Sequence, residues 1–201
     1  MVATAISLVV MGSIYSVYQT QQKSYIVQEQ VAAMQQNLRA GMTMLTRDIR
    51  MAGYDPTGAN NLGITAATSN NITFQRRDDA DTVTQTITYT LADYGGDGDT
   101  DLFRDDGGGP MLVAENINAL DFVYLNASGG VIATPGTDPA ATSAISAIQV
   151  TMVAKTGRGD RGYVNTGVYS NQQPGPPIYT APGDNNRRIA LTREVKRRNT
   201  K

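Results

Sequence analysis

From Gln19 to Ala52 the chain carries no proline and one glycine, Gly41, and is dominated by Gln, Glu, Ala, Met, Leu and Arg. These are strong helix formers, so the stretch reads as one uninterrupted helix. Val27, Val31, Met34, Leu38, Met42 (or Gly41), Leu45, Ile49 and Ala52 recur every three or four residues and make a single apolar stripe. Gln28, Gln35, Gln36, Arg39, Thr46, Arg47 and Arg50 occupy the other faces. The helix extends backwards as well, because no residue from Met1 to Gln22 is charged. It is predicted to stop at Gly53, with Pro56 soon after, the usual punctuation of a helix end. About 50 residues at 1.5 Å each make a rod of roughly 75 Å. No head built from the remaining residues can bury such a rod, so its first half has to be covered by lipid or by other helices.

The run Val2 to Tyr18 is apolar with small hydroxyl residues scattered through it. A spanning helix needs roughly 20 apolar residues, which this run approaches. Tyr15 and Tyr18 at its polar end suit a membrane interface. Ala3, Thr4, Ala5, Ser7, Gly12, Ser13 and Ser16 are small enough to permit close helix approach. The N-terminal part thus divides into an apolar half, residues 1–22, and an amphipathic half, residues 23–53, followed by a head, residues 54–201.

The head has a different chemistry. Gly, Asn, Thr and Asp become frequent and short alternating runs appear. Val83, Ile87, Tyr89 and Leu91 share one face of a strand, with Thr84, Thr86, Thr88 and Thr90 on the other. Further strands are expected at 72–76, 102–104, 111–113, 120–124, 131–132, 148–152 and 189–195. Thr134 to Ser143 and Tyr169 to Asn186 read as surface loops, the second holding Pro174-Gly175-Pro176-Pro177. The expected class is α+β: a long helix, about 2–52, packed through its stripe on an antiparallel meander.

Composition narrows the function. The 201 residues include no His and no Cys, so disulfides, thiolate nucleophiles and imidazole acid–base catalysis are excluded. A net charge of −1 gives no overall field for nucleic acid. Charge is nonetheless uneven. Asp78, Asp79, Asp81, Asp93, Asp97, Asp99, Asp101, Asp105 and Asp106 crowd the middle, while Arg187, Arg188, Arg193, Lys196, Arg197, Arg198 and Lys201 make the C-terminus basic. The basic strand has no interleaved aromatics, so an acidic neighbour suits it better than a nucleic acid.

Within Asp93-Tyr94-Gly95-Gly96-Asp97-Gly98-Asp99-Thr100-Asp101, the carboxylates of Asp97, Asp99 and Asp101 alternate in a glycine-rich turn. That spacing makes them a candidate calcium site, although the glycine and glutamate positions of an EF-hand are Leu102 and Gly108 here. The competing reading is a solvated hairpin turn. Arg158-Gly159-Asp160 spells a tripeptide of integrin ligands, a match that a glycine-rich turn makes by accident, and Arg76-Arg77-Asp78-Asp79 reads as exposed surface pairs.

An apolar N-terminal helix, an amphipathic continuation and a sheet-bearing head resemble the type IV pilin and pseudopilin superfamily. The segment Leu38-Arg39-Ala40-Gly41-Met42-Thr43-Met44-Leu45-Thr46-Arg47-Asp48-Ile49-Arg50-Met51-Ala52-Gly53-Tyr54-Asp55-Pro56 is similar to the helix exit of PilW-type minor pilins. The closing Arg187-Arg188-Ile189-Ala190-Leu191-Thr192-Arg193-Glu194-Val195-Lys196-Arg197-Arg198-Asn199 is similar to that family's last strand. GspJ-type pseudopilins of type II secretion are related. The family starts with a basic leader, a Gly at the cleavage point, an aromatic residue and a Glu, so the resemblance implies such residues ahead of Met1, and no residue of this sequence takes their roles. It further implies a structural subunit, not an enzyme, held in the inner membrane as a single pass and then passed into a cell-surface pilus or a periplasmic pseudopilus. Its partners would be other pilin or pseudopilin subunits, met through the helix, and no cofactor is required. A membrane-anchored adhesin whose long loops, 134–143 and 169–186, hold a ligand is the alternative from another class.

Overall fold

The computed structural model describes residues 2–58, 61–77, 83–96, 98–133 and 135–199. Helix α1 runs unbroken from Val2 to Met51, one residue short of the sequence expectation. Met34, Leu38, Met42, Leu45, Ile49 and Ala52 of its stripe are buried in the core, and Val31 packs partly buried against it. Arg50 lies in the last turn, where a cation complements the partial negative charge of the helix end. The helix stops because Gly53 adopts φ +78°, a left-handed conformation open to glycine at little cost. The Gly53 N–H then donates to the Gln75 carbonyl at 2.8 Å, which ties the helix end to a strand.

Among the described residues the head carries two larger antiparallel sheets, rather than the single expected meander, and one small strand pair. The first follows chain order: β1 (Ile64–Ala67), β2 (Ile72–Arg77), β3 (Thr84–Ala92), β4 (Asp101–Asp105) and β5 (Pro110–Ala114). The second is interleaved. Its members are β6 (Ile117–Leu125), β7 (Val131–Ile132), β8 (Ala147–Lys155) and β11 (Arg188–Lys196), in the order β11-β8-β6-β7. Alternation explains which side faces in. Ile87 and Tyr89 of β3, Phe122 and Tyr124 of β6, and Ile148, Val150 and Met152 of β8 join the helix stripe in one core. Val83 does not share this face. It lies before β3 begins and is exposed.

Strand β8 is buried along nearly its whole length, because its second face is also covered. The cover is the 156–187 segment, which holds on by polar bonds: Asn171 Nδ2 donates to Asp121 Oδ2 at 2.8 Å and Gln149 Nε2 to Gln172 Oε1 at 3.0 Å. The expected loop 169–186 contains a small strand pair, β9 (Val168–Tyr169) with β10 (Tyr179–Thr180). The expected loop 134–143 holds a one-turn helix, α2 (Pro139–Ser143). Pro139 opens it and the Asp138 side chain accepts from the Ala140 N–H at 2.9 Å, a combination of N-cap and first-turn proline that local sequence encodes. Thr134 lies outside the described residues.

Candidate assembly interface

The N-terminal part of α1 leaves the head entirely. From Val2 to Ile26 its large apolar side chains, among them Ile6, Leu8, Val9, Val10, Met11, Ile14 and Val17, are exposed. Monomeric soluble proteins rarely expose a contiguous apolar surface of this kind, so it marks a surface that something else covers. The helix is long and apolar enough to cross a membrane. Its hydroxyls do not disturb that surface, because Ser7, Ser13 and Thr20 each donate to the carbonyl one turn back, at 2.9, 2.9 and 3.0 Å. Around Gly12 nothing lies within 4 Å of where a Cβ would stand, so in this chain the glycine leaves a notch in the helix surface.

A rod that carries a head is useful in an assembly only if the two move together, and a buried polar cluster joins them. Asp48, one turn before the helix ends, is buried. Its Oδ2 accepts from the Tyr89 hydroxyl at 2.9 Å and from Arg104 Nε at 2.8 Å, while Oδ1 accepts from Arg76 Nη1 at 3.4 Å. Arg104 donates on from Nη1 to Asp106 Oδ2 at 2.7 Å. One helix carboxylate therefore binds β2, β3 and β4 together. Burial, and after it the charge of Asp48, push the Tyr89 phenol above its ordinary range, so it stays a donor. Burial opposes the Arg104 cation, but the hydrogen bonds to Asp48 and Asp106 outweigh it and raise its pKa.

A second anchor is steric. A Cβ on Gly41 would stand 2.8 Å from the Ala114 Cβ, so α1 and β5 approach more closely than any side chain at position 41 permits. Sequence reasoning placed Gly41 only as the one glycine of the helix and an alternative to Met42 in its apolar stripe, and Asp48 only as part of a motif. The available signal for Asp48 was a carboxylate inside the apolar stripe, between Leu45 and Ala52.

The residues singled out by sequence are dispersed. Asp97 lies outside the described residues. Asp99 Oδ1 accepts from Lys155 Nζ, and Asp101 Oδ1 accepts from the Asn116 N–H at 2.7 Å. Among the described residues no group of three or more acidic side chains converges. Asp160 of the Arg-Gly-Asp tripeptide is engaged by Arg187 through Nε at 3.0 Å and Nη2 at 2.7 Å. Arg76, expected to pair on the surface, turns inward to Asp48 instead, and Asp78 and Asp79 lie outside the described residues. In the basic C-terminal segment Arg188 pairs with Asp184, with its side chain 2% exposed, whereas Arg193, Lys196 and Arg198 are exposed.

A long helix with a bare apolar half, capped by a two-sheet antiparallel head fixed to its other half, defines the type IV pilin-like fold. The chain is similar to a type IV-like pilin from Thermus thermophilus, with a TM-score of 0.56 and 15% identity, over 83% of this chain and 97% of that one. No family model and no curated protein matches the sequence.

Proposed function

We propose that this protein is a structural subunit of pilin type that assembles through α1. The observation that carries the reading is the bare apolar half of a helix whose other half is locked into the head. Before assembly that half sits in the inner membrane. On assembly, lipid is exchanged for neighbouring helices, so apolar burial changes little and packing decides the outcome. The finer role is that of a PilW-type minor pilin in an initiating or tip complex, at the cell surface. The reading is supported by the helix-exit segment Arg47 to Tyr54, in which Asp48 and Gly53 are the residues that fasten helix to head. A pseudopilin of a type II secretion tip uses the same parts and is separated by the machine that takes the subunit up.

The test is Val9→Lys, a charge in the middle of the bare half. A lysine near the centre of a spanning helix costs about 2.5–3.5 kcal/mol, and the head lies too far away to notice. The variant is expected to keep the native head, by near-ultraviolet circular dichroism, and to be lost from sheared pilus or pseudopilus fractions. Incorporation at the native level would sink the proposal.

A further inference from the structure

Arg197 follows directly on β11, and its guanidinium is served differently from those of the other arginines packed into the head. Arg104, Arg187 and Arg188 each meet a carboxylate. Arg197 is paired with none among the described residues and donates to two carbonyls instead, from Nη1 to Thr142 at 3.4 Å and from Nη2 to Asn199 at 3.3 Å. Its Nε is buried without a partner. A guanidinium has five N–H donors, so each terminal nitrogen keeps one after these two long bonds. Burial lowers the Arg197 pKa. At Arg104 and Arg188 burial acts in the same direction, but hydrogen bonds to carboxylates outweigh it.

Arg197 lines an open cavity of about 240 Å³ between β1 and α2. The other walls are apolar at Leu62, Ile64 and Pro139 and bear the Thr137 and Ser143 hydroxyls. Asp138 stands between two of these wall residues in the chain, but its carboxylate accepts from the Ala140 N–H and caps α2.

Charge, size and place together define what fits. A desolvated cation with donors left over calls for an anion, and its planar fork matches a carboxylate. The cavity is smaller than the roughly 300–1,000 Å³ of sites that enclose a whole small molecule, so it suits an anchoring side chain. Its place excludes lipid. Gly63 lies against Arg197, and Leu62 and Asn199 pack on Gly53, just past the end of α1. The neck, where Asn37 donates to the Glu115 carbonyl, is about 21 Å back along the axis from Met51. The cavity is therefore at the end of the head remote from the bare half of the helix. A copy of this chain, held at the same depth by its own helix, stands beside this head rather than beyond it.

We propose that the Arg197 cavity docks an acidic side chain, flanked by an aliphatic residue, of a different subunit that sits beyond this one on the membrane-distal side. The proposal rests on reading the chain as a pilin-type subunit of an initiating or tip complex, and it gives that complex a contact other than the helix. The carboxylate takes the remaining Nη donors of Arg197 and a hydroxyl of Thr137 or Ser143. Its aliphatic neighbour covers Leu62 and Pro139.

The test uses the full isotope-labelled chain in detergent micelles, with a blocked leucyl-aspartyl-leucine tripeptide and its asparagine counterpart as probes. Magnetic resonance signals of the Arg197 side chain, Thr137 and Ser143 are expected to shift saturably with the aspartyl peptide. The asparaginyl peptide should bind about tenfold more weakly, the loss of one charge-assisted contact. Arg197→Gln should weaken the aspartyl peptide by about the same factor. The two peptides differ only on the ligand, so their comparison decides the matter even where the variant disturbs the end of β11. Equal binding of both, or no shift at Arg197 with either, would overturn the site. Free isovalerate is the third probe, and binding as tight as that of the aspartyl peptide would make this a site for small carboxylates and sink the docking proposal. Val9→Lys tests the helix separately. If that variant is lost from sheared fractions while no peptide binds, the cavity proposal fails and the pilin-type reading stands. If Val9→Lys is incorporated at the native level, both fall.

Discussion

Replacing Asp48 by alanine removes the acceptor on which the helix–head joint converges, and the cost can be built from the partners left behind. Arg104 is the main loser, since its side chain is 7% exposed and its Nε bond to Asp48 is the 2.8 Å contact. Leaving a buried ion without its partner costs about 3–5 kcal/mol. Asp106 still takes Nη1 at 2.7 Å, which places the loss near the lower end. The Tyr89 hydroxyl is orphaned too, a desolvation cost of about 1–3 kcal/mol that does not simply add because the groups share one network. Arg76 contributes little, being partly exposed and 3.4 Å away. The sum is about 3–4 kcal/mol, a large share of the 5–15 kcal/mol that holds a typical domain together. Asp48→Asn keeps an oxygen for Tyr89 and Arg104 and loses the charge, so about 1–2 kcal/mol is expected. Arg76→Gln should stay within about 0.5 kcal/mol. The assay is urea unfolding of the full chain in detergent micelles, followed by tyrosine fluorescence and by the β-sheet signal, with the slope held common to all variants. A loss below about 1 kcal/mol for Asp48→Ala, or one no larger than that of Arg76→Gln, would refute the reasoning.

Two further outcomes follow from the same geometry. Gly41→Ala gains up to about 1 kcal/mol of helix propensity, yet it should destabilise the head, because overpacking against Ala114 costs about 1–3 kcal/mol. The double variant Gly41→Ala with Ala114→Gly restores the space, so a melting curve no better than that of the single variant would contradict the close approach. The second concerns acid. Hydrogen bonds from Arg104 and Arg188 hold the Asp106 and Asp184 carboxyls below the usual aspartate value of about 3.9. A depressed folded pKa stabilises the native state above the unfolded value and ceases to do so as pH falls through the folded one. The melting temperature should therefore drop as the pH falls below about 4, with a shallower slope in Asp184→Asn. Identical slopes in the parent and the variant would exclude Asp184 as a contributor.

The helix was legible in the sequence because its signals are local. Absence of proline, a stripe at three- and four-residue spacing, and Gly53 with Pro56 at the end are written within neighbouring residues, and α1 ends at Met51 accordingly. The bareness of its first half was legible as well, since a rod of that length cannot be buried by a small head. The longer strands showed through alternation, as in β3 and β6. Other features were not visible because they depend on residues far apart in the chain. The interleaved order of the second sheet arises when β8 inserts between β6 and β11, a pairing of segments separated by loops whose sequence carries no register. The polar second face of β8 gave no sign of its cover, which is held by side-chain amides from the 156–187 segment. The same holds for the joint. Asp48, Tyr89 and Arg104 meet across gaps of 41 and 56 residues, and Arg197 donates to Thr142 across 55. Periodicity and propensity are short-range properties that the sequence fixes alone, whereas which charges are paired is a long-range property that only the packed tertiary structure decides.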